Sequence, residues 1–368
     1  MVNLKLPISR RTVLATLLGS VAASVQAMNA FPALSRAALT VRAPERQFML
    51  AAAKVGKRIV AVGERGVIVL SDNAGKTWKQ ATRVPVSVTL TAVCFINQTL
   101  GWAVGHGGTV LHTTDAGETW DVQANGEQLA KAALQEAEEF ARLNPTAANA
   151  ERLLKSAQRL LADGPDKPLL DVRFRDANHG WVVGAFNMSF ETKDGGKTWT
   201  GLRHLVDNPK ELHLYSLHLS ASEMYIVGEQ GQMHRSGDGG QSFQALKSPY
   251  NGSWFCVSTS SDGAVVAGGL RGNLFRSINH GESWQKIEGL PPVSLVSITP
   301  LSDGRVLLAN QAGQLFTLGT EDSVAPLKSP PLPPLSSALQ LSAGALLVVG
   351  AVGVMPVAVN LAEPGTSK

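Results

Sequence analysis

The residues with the most evident chemical potential are acids set among hydroxyls, as in Thr113-x-Asp115-x-Gly117-x-Thr119-Trp120. A carboxylate in that setting could serve acid–base catalysis, ligate a cation or cap backbone N–H groups. The pattern recurs as Ser71-x-Asn73-x-Gly75-x-Thr77-Trp78 and Thr192-x-Asp194-x-Gly196-x-Thr198-Trp199. Two looser copies are Ser236-x-Asp238-x-Gly240-x-Ser242-Phe243 and Ser277-x-Asn279-x-Gly281-x-Ser283-Trp284. Each residue has a turn role. Asp or Asn caps the turn, Gly supplies positive φ, the hydroxyls bond locally, and the aromatic covers the turn and the adjoining sheet edge. These five boxes read as turn devices.

Other constellations are weaker. Asp72-Asn-Ala-Gly75 and Asp194-Gly-Gly196 lack the full ligand set of a calcium loop with its terminal Glu. The eight histidines show no H-x-x-x-H or paired zinc spacing. Gly105-His-Gly-Gly108 is followed by no helix and is not a phosphate loop. The chain is therefore expected to hold no metal and no cofactor. Boxes of this kind occur in sialidases, which need a Tyr nucleophile, a nearby acid and an arginine cluster. Of the three tyrosines, Tyr225 falls in an apolar run, Tyr215 precedes a strand, and Tyr250 sits in a Ser-Pro-Tyr-Asn-Gly turn. Val41-Arg-Ala-Pro-Glu45 does not match the sialidase Arg-Ile-Pro motif. A sialidase-like hydrolase is the disfavoured alternative, and the expected reading is not an enzyme.

The elements that carry the boxes repeat. Apolar runs end at Gly63, Gly105, Gly184, Gly228, Gly268, Asn310 and Gly350, at spacings of 42, 79, 44, 40, 42 and 40. Each run opens a hairpin around a Gly-rich turn. Seven units of about forty residues with four short strands make an all-β, seven-bladed β-propeller with Asp-box (BNR-like) repeats. Units six and seven lack the box, and the missing outer strand of unit seven is expected from Ala38–Arg42. The 79-residue spacing holds an insert at 127–163, between blades two and three. It reads as two amphipathic helices, Glu127–Leu143 and a second begun by Asn144-Pro145 as N-cap and first-turn proline. Their apolar positions are Leu129, Ala133, Ala137 and Phe140, then Leu153, Ala157, Leu160 and Leu161. The pair is expected to pack on the propeller and contribute to docking.

Residues 1–30 read as an export signal, leaving 31–368 for the propeller. Lys5, Arg10 and Arg11 precede a small-residue apolar core, and Val25-Gln-Ala27 offers a cleavage site. Ser9-Arg10-Arg11-Thr12-Val13-Leu14 resembles the twin-arginine signal. Removing this segment leaves 30 basic against 29 acidic residues, which gives no argument for nucleic acid. Cys94 and Cys256 fall on innermost strands far apart around the ring, so no disulfide between them is expected.

In an up-and-down blade, turns between strands two and three share a face with the links between blades. The insert and the turn residues Arg65, His106, Asn187, Gln230 and Arg271 belong there, with Arg203 and His204 from the link after blade three. Arg173 and Arg175, two apart on an innermost strand, should point the same way. Arg65, His106, Arg173, Arg175, Arg203 and Arg271 are the candidate partner-binding residues.

The unit V-x-F…G-W-x-V-G…T-x-D-x-G-x-T-W, in Val93–Trp120 and Val172–Trp199, resembles the photosystem II assembly and stability factor family. The resemblance covers about residues 40–320 and implies a non-catalytic propeller exported to the thylakoid lumen, or to the periplasm in a non-photosynthetic host. It implies binding to a membrane-protein complex or its subunits, partly through surface arginines. A second branch implied by the resemblance is an accessory protein of resistance-nodulation-division exporters.

Overall fold

The hairpin runs form the strands expected of them. Gly101–Gly105 pairs antiparallel with Thr109–Thr113 in unbroken register. All five residues of Gly101–Gly105 are buried, as are those of Gly180–Gly184 and Met224–Gly228. Alternation is absent because neighbouring sheets cover both faces of each second strand, so both faces must be apolar. Trp102 shows this directly: its ring stacks 3.5 Å from that of Phe174 in the next sheet.

The computed structural model describes residues 31–221 and 223–361, and the export signal read in residues 1–30 lies outside the described residues. Among the described residues, seven antiparallel sheets follow one another in chain order, at 49–80, 90–124, 169–201, 214–245, 254–287, 295–326 and 335–358. The first six have four strands and the seventh has three. First strands from every sheet line one central channel of about 290 Å³. Polar side chains stitch those strands together. Thr91 Oγ1 donates to the Leu169 carbonyl at 2.7 Å, and Thr299 Oγ1 donates to that of Ala338 at 2.8 Å. His218 Nε2 meets Thr259 Oγ1 at 3.0 Å. Cys94 and Cys256 are free thiols on the first strands of sheets two and five. Burial pushes the Cys94 thiol up to about 12.

The boxes join the third strand to the outer one, which starts just after the aromatic, as in Asp121–Ala124. Thr113 Oγ1 accepts from Gly117 N at 3.0 Å and donates to Asp115 Oδ1 at 2.8 Å. Asp115 Oδ1 accepts from Thr119 N at 2.9 Å, and Oδ2 accepts from Thr119 Oγ1 at 2.6 Å. The Trp120 indole donates to the Gly117 carbonyl at 3.0 Å. The hydroxyl and acid contacts recur at Asp194 and Asp238. Asn73 and Asn279 reproduce the network with a side-chain amide donating to Thr77 and Ser283.

The box glycines also set the distance to the preceding sheet. All five hold positive φ, between 81° and 92°. A Cβ placed on Gly117 would lie 3.2 Å from Leu70 Cδ2, and one on Gly240 would lie 2.9 Å from Trp181 Nε1. One on Gly281 would lie 2.6 Å from Leu246 Cδ1. Gly75 faces Leu347 and Pro356 of sheet seven, so the first box seats against the last sheet. Sheet six has no box, and there Asp322 pairs with Arg276 of sheet five at 3.2 Å.

Closure differs from the expectation. Residues 38–42 form no fourth strand on sheet seven. They lie along sheet one instead, where the Gln80 side chain accepts from Val41 N at 3.0 Å and donates to the Leu39 carbonyl at 2.9 Å. Ala43 at φ 59° then turns the chain into the short helix Pro44–Arg46, which sits against Gly353 at the start of the last strand. Pro and a left-handed residue cannot continue a ladder. The seam is held by a shared core of Met49, Ile59 and Val69 with Leu347 and Val349, and by Lys54 Nζ donating to the Leu341 carbonyl at 2.7 Å.

Two helices, α1 (Gly126–Leu143) and α2 (Ala150–Asp163), lie between sheets two and three in the chain. Asn125 caps α1 in a reciprocal box with Gln128. The expected N-cap at Asn144 is corrected: its N–H and side-chain amide both bond the Phe140 carbonyl, so Asn144 ends α1. Helix α2 starts six residues later because Ala147 and Ala150 first close tight turns. Leu129, Ala133, Ala137, Leu153, Ala157 and Leu160 are buried in one core with Trp102, Met188 and Phe190. The helical pair is packed on the propeller.

Asp115→Ala should lower the unfolding free energy by about 1–3 kcal/mol, whereas Glu321→Ala, exposed in boxless sheet six, should change it by less than about 0.5 kcal/mol. Urea titrations would measure both. Hydrogen bonds from Ser242 and Ser236 hold the Asp238 carboxyl down at about 2, against about 3.9 in an unfolded chain. Its contribution is thus full above about pH 4 and is lost as pH falls through about 2. Asp238→Asn should remove that part of the acid limb in a pH series of unfolding midpoints.

Candidate functional site

Five sheets share one turn between their second and third strands. It appears as Glu64–Gly66, His106–Gly108, Ala185–Asn187, Glu229–Gly231 and Leu270–Gly272. In each, the residue after the turn donates its N–H back to the first turn residue, as Val67 does to the Glu64 carbonyl at 3.0 Å. That closure puts the middle residue in the left-handed region: Arg65 at φ 57°, Gly107 at 69°, Phe186 at 54°, Gln230 at 52° and Arg271 at 57°. A non-Gly residue there costs about 1–2 kcal/mol. Only sheet two takes the unstrained choice, and there the start of α1 covers the turn, with Gly126 against Gly108. Elsewhere the strained position presents an exposed side chain. All these turns lie at one end of the sheets, together with the links between sheets.

Phe186, 46% exposed, begins a file of rings leading inward. It meets His213 at 4.8 Å, His213 meets Tyr215 at 6.1 Å, and Tyr215 meets Phe255 at 5.3 Å. Tyr215 and Phe255 line the channel. Deeper in the channel, Asp171 is buried and accepts from Leu217 N at 2.9 Å, with Arg173 at 3.4 Å. Burial pushes the Asp171 carboxyl up, against Arg173 and the backbone donors.

The six candidate residues do not form one cluster. Arg65, His106 and Arg271 are exposed on the turn face. Arg173 lines the channel, its Nε donating to the Leu217 carbonyl at 3.1 Å. Arg175 is a correction: the strand ends at Phe174, so the alternation that would align it with Arg173 stops first. Arg175 lies on the opposite face, 5.0 Å over the Trp181 ring. Arg203 is a second correction, because it is buried under the helical pair, with Nη2 donating to Ser156 Oγ at 2.6 Å. Asn187 is also buried. Beside Arg203, His204 Nδ1 lies 2.5 Å from Glu136 Oε1 and its ring packs on Phe140, tying α1 to the link after sheet three. Sequence reading missed Phe186. Aligning the turns would have found it, as an aromatic where other sheets carry Arg, Gln or Gly.

A tyrosine–acid pair does exist, sealed between sheets. Tyr225 is 1% exposed and its hydroxyl donates to Glu223, which also pairs with Arg235 and, at 3.0 Å, with His280. Burial would push the Glu223 carboxyl up, yet the Tyr225, Arg235 and His280 hydrogen bonds outweigh it and hold it below the usual range. A general acid needs the reverse. Among the described residues, no group of three or more His, Cys, Asp or Glu is placed to hold a metal ion.

The family described as photosynthesis system II assembly factor YCF48 matches residues 157–318, less than half of the chain. The Photosystem II assembly lipoprotein Ycf48 of Synechococcus sp. is 36% identical over 77 residues, which are 21% of this chain and 23% of that relative. Among solved structures, YCF48 bound to a D1 peptide aligns over 88% of this chain and 98% of its own, at TM-score 0.60 and 18% identity. The WD40 β-propeller domain of Doa1 aligns over 88% and 95%, at TM-score 0.61 and 11% identity. Virginiamycin B lyase from Staphylococcus aureus aligns over 86% and 96%, at TM-score 0.61 and 10% identity. At these identities the structures establish a β-propeller. The sequence matches make this part of the chain similar to the photosystem II assembly factors, and the match spans less than a quarter of the curated relative's length.

Gly substitution at Arg65, Phe186, Gln230 or Arg271 should raise stability by up to about 1 kcal/mol each, since Gly adopts positive φ without strain. Gly in place of the exposed Glu64 should not. Denaturation midpoints of the five variants would measure the strain these turns carry.

Proposed function

We propose that this chain, a relative of the photosystem II assembly factors, is an exported seven-bladed propeller that holds a peptide segment of a membrane-protein subunit and catalyses no reaction. The helical pair is read as an insert between blades two and three that walls one side of the binding face. The observation that carries the reading is the strained turn row, which keeps Arg65, Phe186 and Arg271 exposed at a cost in stability. Strain retained on a surface points to function. Arginines suit the carboxylates of a peptide, and the file from Phe186 to Phe255 suits its apolar side chains. Arg173 and Asp171 supply polar anchors in the channel. His106 flanks the insert, while Arg175 and Arg203 take no part.

The solved relative that carries a D1 peptide supports a partner of this kind. Export is supported by the basic and apolar pattern of residues 1–30 and by the relative described as a lipoprotein. Among the described residues, no helix is long and apolar enough to cross a membrane.

Fluorescence anisotropy with labelled peptides tiled over the soluble segments of D1 tests this reading. At least one peptide should bind, and Phe186→Ala and Arg271→Ala should each weaken it by about tenfold. Arg175→Ala on the opposite face should leave it unchanged. Failure of every peptide, or equal losses from Arg175→Ala and Phe186→Ala, would reject it. Deleting the helical pair is the wrong control, because Leu129 and Leu153 belong to the propeller core.

A further inference from the structure

The first strand of every sheet carries the same irregularity. Met49 pairs with Gly63 and Ala51 with Val62, so Leu50 has no partner and bulges out of the ladder. The skip recurs one residue into each other first strand, at Thr91, Leu170, Tyr215, Phe255, Val296 and Ser336. A bulge re-aims a side chain. Here the residue before it is buried, as Met49, Leu169 and Trp254 are, while every bulged residue is half-buried in the wall of the central channel. The bulges lie beside the turn face, since the Phe48 carbonyl just before Met49 accepts from Glu64 N, the first turn residue, at 3.1 Å. One residue per sheet therefore makes a ring at that end of the channel.

The ring is mostly apolar. Leu50, Leu170 and Val296 supply aliphatic wall, and Tyr215 and Phe255 meet edge to face at 5.3 Å, ending the file that starts at Phe186. Thr91 uses its hydroxyl on the Leu169 and Val104 carbonyls, at 2.7 and 3.1 Å. Beyond the ring the lining turns polar. Asp171, Ser216, Ser297 and Ser337 come next in their strands, and Arg173 and Thr299 lie about 10 Å past the bulges. Asp171 and Arg173 face each other at 3.4 Å, so this floor suits a neutral polar group better than a charge.

We propose that the ring of bulges is a socket for one tyrosine side chain of a bound peptide. The apolar ring takes the body of the phenol, with Tyr215 and Phe255 edge-on to it, and the serines beyond take its hydroxyl. The size agrees: about 290 Å³ is roughly ten waters at about 30 Å³ each, room for one large side chain with some water but not for a length of chain. The socket deepens the peptide reading above and rests on it for its partner.

The test uses the full chain with isotope-labelled Leu and Val methyls, titrated with N-acetyl-tyrosinamide, N-acetyl-phenylalaninamide and N-acetyl-alaninamide. The tyrosine probe should shift the Leu50, Leu170 and Val296 methyl signals. The phenylalanine probe lacks the hydroxyl and should bind about three- to tenfold more weakly, and the alanine probe should shift none of the three. Ser336→Trp, which puts a ring of its own into the socket, should abolish the shifts and weaken peptide binding at least about tenfold. Ser336→Ala should change neither. The socket is refuted if the tyrosine probe leaves the three methyls unmoved, if phenylalanine or alanine binds as well, or if a peptide binds Ser336→Trp like the parent. That last result leaves the peptide reading standing. Failure of every peptide rejects the peptide reading, and the methyl shifts, which need no variant, then decide the socket by themselves.

Discussion

The contact on which this structure depends is a glycine pressed against the neighbouring sheet. At Gly240 and Gly281 the box turn brings backbone so close to the preceding sheet that a Cβ would displace Trp181 or Leu246; Gly117 approaches Leu70 to 3.2 Å, and Gly75 rests in ordinary contact with the last sheet. The hydroxyl and the acid fix the turn, and the glycine then fixes the spacing between sheets. One short motif therefore does two jobs at different length scales. It ends a hairpin locally, and it sets the gap that a second strand such as Gly101–Gly105 must fill from both sides. Where the motif is missing, the gap is governed otherwise, as with Arg276 and Asp322 between sheets five and six.

This division explains what could be read from the chain. The strands, the five boxes and the apolar stripes of both helices are local patterns, and the residues that carry them sit where expected. Closure was not legible. Residues 38–42 have an extended pattern, but whether they extend sheet seven or lie along sheet one depends on Gln80, a single distant amide. The misread N-cap has a similar cause: Asn144 and Pro145 suit a helix start, and only the Phe140 carbonyl shows that Asn144 ends the previous helix.

The candidate site was legible to a lesser degree. Scanning for charge found Arg65 and Arg271 but could not separate them from Arg175 and Arg203, since exposure is a tertiary property. It also passed over Phe186, whose significance lies in its backbone angle. Four turns keep a side chain where glycine would be easier, and the one that accepts glycine is the one covered by α1. Stability and display compete at this position, and display prevails wherever the surface is open.

The seam between sheets seven and one has a mechanical consequence. Among the described residues no strand crosses it; the ends meet through a shared apolar core, Lys54 to the Leu341 carbonyl, and the Pro44–Arg46 turn and Gly75 box seated on the last sheet. The ring is thus closed in the manner of a clasped bracelet, by contacts between its two ends and not by a shared sheet.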